Sequence, residues 1–238
     1  MYFDQSEYDI RLEWGLSGVE ALAPISDVVV IVDVLSFTTC VDIVVDRGSF
    51  VLPYLGKLED LAAFAAAKEA IFAHPSRRHK IGFSLAPTSL ITIPEGIRFV
   101  LPSLNGSVLS LSTGDAITLA GCLRNAQAAA AKANQLGKRI SVIAAGERWQ
   151  GGLLRPAIED LLGAGAIVMH LKGKLSPEAE TAVAAFKNAQ PKLLNMLNCC
   201  GSGKELIGRG FAEDIQLAAQ LNVSSAAPVL VDGMYSAC

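Results

Sequence analysis

The chain of 238 residues is poor in the groups that staple small proteins together. It has five cysteines, Cys40, Cys122, Cys199, Cys200 and Cys238. Their number is odd and no Cys-x-x-Cys occurs, so neither a disulfide framework nor a zinc ribbon is expected, and they read as small reduced hydrophobes. Histidine is scarce too: His74, His79 and His170 have no metal-ligand spacing. Any metal site should therefore be all-oxygen, which suits Mg²⁺. Charged residues make up 18% and the net charge is −3, so no nucleic-acid partner is expected. No uninterrupted apolar run reaches membrane length. The best stretch, 28–45, is broken by Asp33 and Asp42, and each buried Asp costs about 3 kcal/mol on insertion scales. Met1-Tyr2-Phe3-Asp4 has no basic leader followed by an apolar core. No signal peptide and no membrane partner are expected, and a cytoplasmic location is.

What is present is apolar: 51% of residues are hydrophobic, many of them alanine. That excludes intrinsic disorder. A chain of this length can bury roughly 70% of its unfolded surface without a staple. Residues 27–35 form a β-branched run without polar alternation, the pattern of a strand covered on both faces. Further strands are expected at 49–53, 97–101, 116–120, 139–144 and 228–231. Helical patterns occupy 38–47, 58–72, 105–112, 125–135, 156–162, 176–186, 204–208 and 212–221. Gly163 or Gly165 is expected to close the fifth, and Ser176-Pro177 to cap the sixth. This alternation predicts a three-layer α/β/α sandwich around a largely parallel or mixed sheet. With no repeat or low-complexity linker, a single domain over 1–238 is expected, with 74–80 as an exposed loop or hinge. Trp14, Trp149 and the alanine-rich helices suit either a core or a subunit interface, which leaves room for a homodimer.

In open α/β sheets ligands sit at the carboxyl ends of strands. Asp33 lies at such an end, and a carboxylate there needs a cation or a partner. Ser36, Thr38 and Thr39 follow it where a helix begins; the plainer alternative is that Thr38 caps the helix and Asp33 binds backbone amides. Asn105-Gly106-Ser107 opens a helical pattern whose amides favour an anion, but the residues alone favour an ordinary Asn-Gly turn with a capping serine. Glu147 and Arg148 follow another strand, and Glu159-Asp160 opens a helix after Arg155. Acidic residues there often only complement the helix dipole. Together Asp33, Glu147, Glu159 and Asp160 could hold Mg²⁺, while Arg124, Arg148 and Arg155 offer forked donors for phosphate or sulfonate.

Other motifs fail. Gly201-Ser202-Gly203-Lys204 ends in Glu205 and lacks the leading glycine of a phosphate loop. Gly163-Ala164-Gly165 follows a helix, and no glycine fingerprint follows the first strand, so a nicotinamide enzyme is disfavoured.

Four blocks together resemble the 2-phosphosulfolactate phosphatases. They are Val32-Asp33-Val34-Leu35-Ser36-Phe37-Thr38-Thr39, Pro102-Ser103-Leu104-Asn105-Gly106-Ser107, Ala145-Gly146-Glu147 and Glu159-Asp160-Leu161-Leu162-Gly163-Ala164-Gly165. Ser202-Gly203-Lys204-Glu205-Leu206, Gly210-Phe211 and Glu213-Asp214 fit the family's C-terminal segment. The resemblance implies an α/β/α fold and Mg²⁺-dependent hydrolysis of a phosphate ester on a small sulfonated hydroxy acid, a step towards coenzyme M. Asp33 and Glu147 would hold the metal, with Glu159 or Asp160 nearby. Asn105, Gly106 and Ser107, with Ser36, Thr38 and Thr39, would bind the phosphate. Two departures stand out. Ser36 replaces an arginine of better-known members, and 82–89 lacks their carboxylate; Arg148 or Arg155 are the candidates to restore the cation. The same departures motivate an alternative, a catalytically silent small-anion binding or regulatory protein.

Overall fold

A computed structural model describes residues 3–77 and 82–237. Arg78, His79 and Lys80 of the expected hinge, together with Met1, Tyr2, Ile81 and Cys238, lie outside the described residues.

Among the described residues, nine strands form one sheet: β1 (Ile10–Trp14), β2 (Val28–Val32), β3 (Phe50–Tyr54), β4 (Ile71–Phe72), β5 (Arg98–Pro102), β6 (Ile117–Gly121), β7 (Ile140–Ala144), β10 (Pro228–Val231) and β11 (Met234–Ala237). A separate two-stranded hairpin is made by β8 (Glu147–Arg148) and β9 (Leu154–Arg155). The helices are α1 (Gly15–Leu22), α2 (Phe37–Asp46), α3 (Leu61–Ala67), α4 (Pro87–Leu90), α5 (Gly106–Ser110), α6 (Ala126–Leu136), α7 (Ile158–Val168), α8 (Pro177–Ala189), α9 (Leu193–Cys199), α10 (Gly201–Gly208) and α11 (Ala212–Ala218).

The sheet order is β1-β7-β2-β6-β10-β11-β3-β5-β4. All five residues of β2 are buried, as expected for a strand between two parallel neighbours, β6 and β7, with both faces covered. Its valines and isoleucine each contribute about 1.5–3 kcal/mol of gross burial energy. Val28, Val30 and Val32 face the helical layer of α6, α7 and α8. Val29 and Ile31 face α1 and Leu109 of α5. The expected α/β/α layering is therefore observed, with a mixed sheet.

The hairpin β10–β11 divides that sheet into two parallel blocks. Strand β10 runs antiparallel to β6, β11 antiparallel to β10, and β3 antiparallel to β11. The block β3-β5-β4 consequently runs opposite to the block β1-β7-β2-β6. Helix α2 fills the space against both. Residues 37–45 are all buried, and they share a core with Ala120 of one block and Val51, Phe99 and Leu101 of the other.

Several boundaries differ from expectation. The helical pattern 58–72 ends early: α3 stops at Ala67, Glu69 takes a left-handed conformation, and Ile71–Phe72 pair with β5 as an edge strand. Helix α7 runs straight through Gly163 and Gly165 instead of ending there. A Cβ at Gly165 would lie 2.1 Å from the Ala182 carbonyl oxygen, and one at Gly163 would lie 2.6 Å from Val34 Cγ2. These glycines let α7 press against α8 and against the loop after β2. Helix α8 begins as expected, with Ser176 Oγ accepting from the Ala179 amide at 3.2 Å. Among the described residues, no helix is long and apolar enough to cross a membrane.

Candidate active site

Asp33 stands one residue beyond β2, with 7% of its surface exposed. Its Oδ1 accepts from the Phe37 amide at 3.2 Å and its Oδ2 from the Gly106 amide at 3.1 Å. The second bond ties the site together, because Gly106 follows β5 of the opposed block. A Cβ at Gly106 would fall 2.1 Å from Phe37 Cδ1. Only glycine lets this amide approach Asp33 so closely. The strand-end rule thus accounts for Asp33 and Glu147, whereas α5 delivers its residues from a strand running the other way.

The neighbouring Asn105 donates from Nδ2 to Glu147 Oε2 at 3.2 Å. Asp33, Gly106, Asn105 and Glu147 therefore form a continuous chain across the two blocks. Burial, and next the Glu147 charge, push the Asp33 carboxyl up to about 7, against the two amides and Arg77. Burial also raises Glu147, opposed by Asn105 and with Glu159 adding to the rise. Two carboxylates that each resist ionisation, close enough to oppose one another, will take up a cation or a proton.

The acidic pair on α7 divides into two roles. Asp160 Oδ1 accepts from the Val34 amide and Oδ2 from the Gly146 amide, both at 2.8 Å. This carboxylate clamps the loop after β2 to the loop after β7. Burial, and next the Asp33 charge, raise its pKa well above the ordinary value. Glu159 is also buried, but its Oε2 has no hydrogen-bond partner. An orphaned carboxylate oxygen in this place is chemically suited to a cation. Among the described residues, no three His, Cys, Asp or Glu side chains are gathered at metal-ligating distances. The expected set of four carboxylate ligands is thus not assembled. Mg²⁺, however, commonly uses only one or two protein carboxylates and completes its shell with water and phosphate, and the oxygen donors of Asp33 and Glu147 fit that requirement.

The other expected anion-binding groups separate just as clearly. Thr38 Oγ1 donates to the Asp33 carbonyl and accepts the Asp33 amide, at 2.9 and 3.0 Å. Thr39 Oγ1 donates to the Val34 carbonyl at 2.7 Å. Ser107 Oγ donates to the Leu101 carbonyl at 3.0 Å and accepts the Tyr54 amide at 3.3 Å. All three hydroxyls are buried and turned into the backbone, so they shape the loops rather than face a ligand. The Gly106 amide is taken by Asp33 and by Ser103 Oγ. Arg124 lies in a separate cluster, where Nε donates to the buried Asp42 at 2.9 Å and Nη1 bonds Leu217 O and Gln220 Oε1. Arg148 is exposed and donates to Gly152 O within the hairpin.

Arg155 does face the site. Its Nη2 donates to Ser202 Oγ at 3.1 Å, its guanidinium lies 5.8 Å from the Trp149 ring centre, and its charge opposes the rise at Glu147. The second cation is Arg77, which the sequence reading passed over. Arg77 Nη2 donates to Ser36 Oγ at 3.1 Å, and Nη1 bonds Asp214 Oδ2 at 3.3 Å. Asp214 is fully buried, and its Oδ1 accepts from the Thr88 amide and hydroxyl at 3.0 and 2.7 Å. The guanidinium expected beside Asp33 is therefore supplied from a distant loop, onto the serine that replaces it, and not by Arg148. The basic run Arg77-Arg78-His79-Lys80 in an otherwise acidic chain was the available signal.

Comparison with known proteins identifies the family. A family model described as 2-phosphosulpholactate phosphatase matches residues 19–233. The chain belongs to the 2-phosphosulpholactate phosphatase family. It is 30% identical over 223 residues to a protein of Gloeobacter violaceus named "Probable 2-phosphosulfolactate phosphatase", covering 87% of this chain and 92% of that one. It is 27% identical over 209 residues to the 2-phosphosulfolactate phosphatase of Methanothermobacter thermautotrophicus, covering 87% and 88%. A Thermus thermophilus relative, also named as probable, is 29% identical over 214 residues. The family is one of phosphoric monoester hydrolases, and the matched segment contains every residue of the Asp33–Gly106–Asn105–Glu147 chain.

Proposed function

We propose that this phosphatase hydrolyses a small anionic phosphate monoester with the aid of Mg²⁺, with Asp33 and Glu147 as the protein ligands. The observation that carries the reading is the opposed pair Asp33 and Glu147, joined through Gly106 and Asn105, with the orphaned Glu159 oxygen beside it. When bound there, Mg²⁺ would supply Lewis acidity towards the phosphoryl oxygens. Arg77, bonded to Ser36, and Arg155, bonded to Ser202, bring guanidinium charge to bear on Asp33 and on Glu147 respectively, suited to a phosphate and to a second anionic group of the substrate. Asn105 fixes the Glu147 carboxylate in place, and Asp160 holds the two loops that carry Asp33 and Glu147.

The family name offers 2-phosphosulfolactate as the first ester to test, giving sulfolactate and phosphate. Phosphate release should depend on added Mg²⁺ and fall by at least about 100-fold in Asp33→Asn, the scale of losing a principal electrostatic group. Full turnover by Asp33→Asn would remove Asp33 from the mechanism. Tight binding of the ester without phosphate release, with or without Mg²⁺, would favour the silent anion-binding alternative.

A further inference from the structure

Next to the Asn105–Glu147 contact lies a cavity of about 290 Å³, walled on one side by those two residues. Six apolar side chains, Trp14, Leu16, Leu104, Val108, Leu153 and Leu154, line it beside the polar Ser17, Asn105 and Glu147. Several of these are unusually exposed for their type, Leu104 at 84% and Leu153 at 74%. The hairpin β8–β9 closes one side. Its base is Gly146, in a left-handed conformation, where a Cβ would lie 2.7 Å from Leu154 Cδ1. Leu154 therefore sits against the loop that carries Glu147.

We propose that this cavity binds the carbon side group of the substrate, and that the preferred ester carries an aliphatic or aromatic group there instead of a sulfonate. The inference rests on the phosphatase reading, since it places the phosphate at the Asp33–Glu147 end. Three observations support it. The volume matches a small organic group, being at the lower end of ligand pockets. The wall shared with the phosphate site is Asn105 and Glu147, so a side group on the phosphorylated carbon reaches the cavity directly. Among the described residues, Arg148 is the one cationic residue in the lining, and it is exposed to solvent and engaged with Gly152 O. A sulfonate needs charge-assisted partners that the leucines do not provide.

The test is a matched series of 2-phosphorylated hydroxy acids whose side groups are sulfomethyl, methyl, isobutyl and benzyl. Phosphate release with Mg²⁺ should show kcat/KM for the isobutyl or benzyl ester at least about tenfold above the sulfomethyl ester. Leu16→Arg and Leu104→Lys, both at exposed positions, should erase that preference while unchanged melting curves show intact folding. Equal or better turnover of the sulfomethyl ester overturns the proposal. If no ester is hydrolysed, the phosphatase reading fails, and calorimetric binding of the same series then decides the cavity separately. Tighter binding of the benzyl or isobutyl ester supports it; tighter binding of the sulfomethyl ester, or no binding at all, overturns it.

Discussion

Arg77 illustrates how one side chain can occupy a role that its sequence position hides. A serine follows Asp33-Val34-Leu35, and a guanidinium from 41 residues later reaches its hydroxyl. The buried Asp214 holds the other side of that guanidinium, and Thr88 holds Asp214. Replacing Arg77 by Gln keeps a donor near Ser36 but removes the charge and the forked geometry. The expected result is a rise in KM with a smaller fall in kcat, about 10–100-fold in kcat/KM, the scale of a lost charge-assisted contact. Steady-state kinetics on the best ester of the series measures this split. An unchanged KM would assign Arg77 to loop anchoring alone. At this scale the sequence pointed through strand ends to Asp33 and Glu147, which the fold links through Gly106 and Asn105, whereas Asn105 itself reads as an ordinary turn and Arg155 as one of three scattered arginines. It was misleading for Thr38, Thr39 and Ser107, because a hydroxyl pattern cannot tell whether the backbone or a ligand takes the donor.

At the level of elements, the deciding contacts are between pieces far apart in sequence. Gly106 begins α5 and touches Phe37 at the start of α2. Gly106→Ala would force the new methyl into the Phe37 ring and lift the amide off Asp33. Overpacking of this kind costs about 1–3 kcal/mol, and about 2–4 °C of melting temperature per kcal/mol is expected for a chain of this size. The variant should therefore melt about 2–12 °C lower and lose activity beyond what reduced stability explains. Thermal melts read alongside kcat, taken well below the transition, separate the two effects; a variant with wild-type kcat would show that the Gly106–Asp33 bond is dispensable. Periodicity located β2, α2, β7 and α8 because each buries a continuous apolar pattern. It missed β1, α1 and the β8–β9 hairpin, whose short mixed sequences acquire meaning only from their neighbours. It also read Gly163 and Gly165 as a helix end, since the close approach of α8 that requires small residues is invisible along the chain.

Across the whole molecule, the opposed blocks bring several carboxylates into the interior instead of spreading them along one edge. Burial, the leading cause in each case, raises Asp33 to about 7, Asp42 to about 6, and lifts Glu147 and Asp160 in the same direction. Below about pH 4 these groups are protonated in both the folded and the unfolded chain. Between about pH 4 and pH 7 the unfolded chain releases those protons first, so the folded protein binds more of them and loses stability as pH rises. Each such group contributes up to about 1.4 kcal/mol per pH unit inside its window. Asp27 works the other way, because its hydrogen bonds with Arg139 lower its pKa, and that stabilisation is lost only in stronger acid. Metal-free protein should therefore melt at a lower temperature at pH 8 than at pH 5, the reverse of ordinary acid denaturation. Mg²⁺ at a hundred times its dissociation constant should return about 2.7 kcal/mol. It should do so at pH 8 and much less at pH 5, where Asp33 retains its proton. Calorimetry at both pH values, with Mg²⁺ and with EDTA, reads all four states. In Asp33→Asn the Mg²⁺ effect at pH 8 should shrink sharply and the slope with pH should flatten. A wild-type melting temperature that ignores Mg²⁺ at pH 8 would mean that the charge gathered between the two blocks is balanced by protons and not by a metal ion.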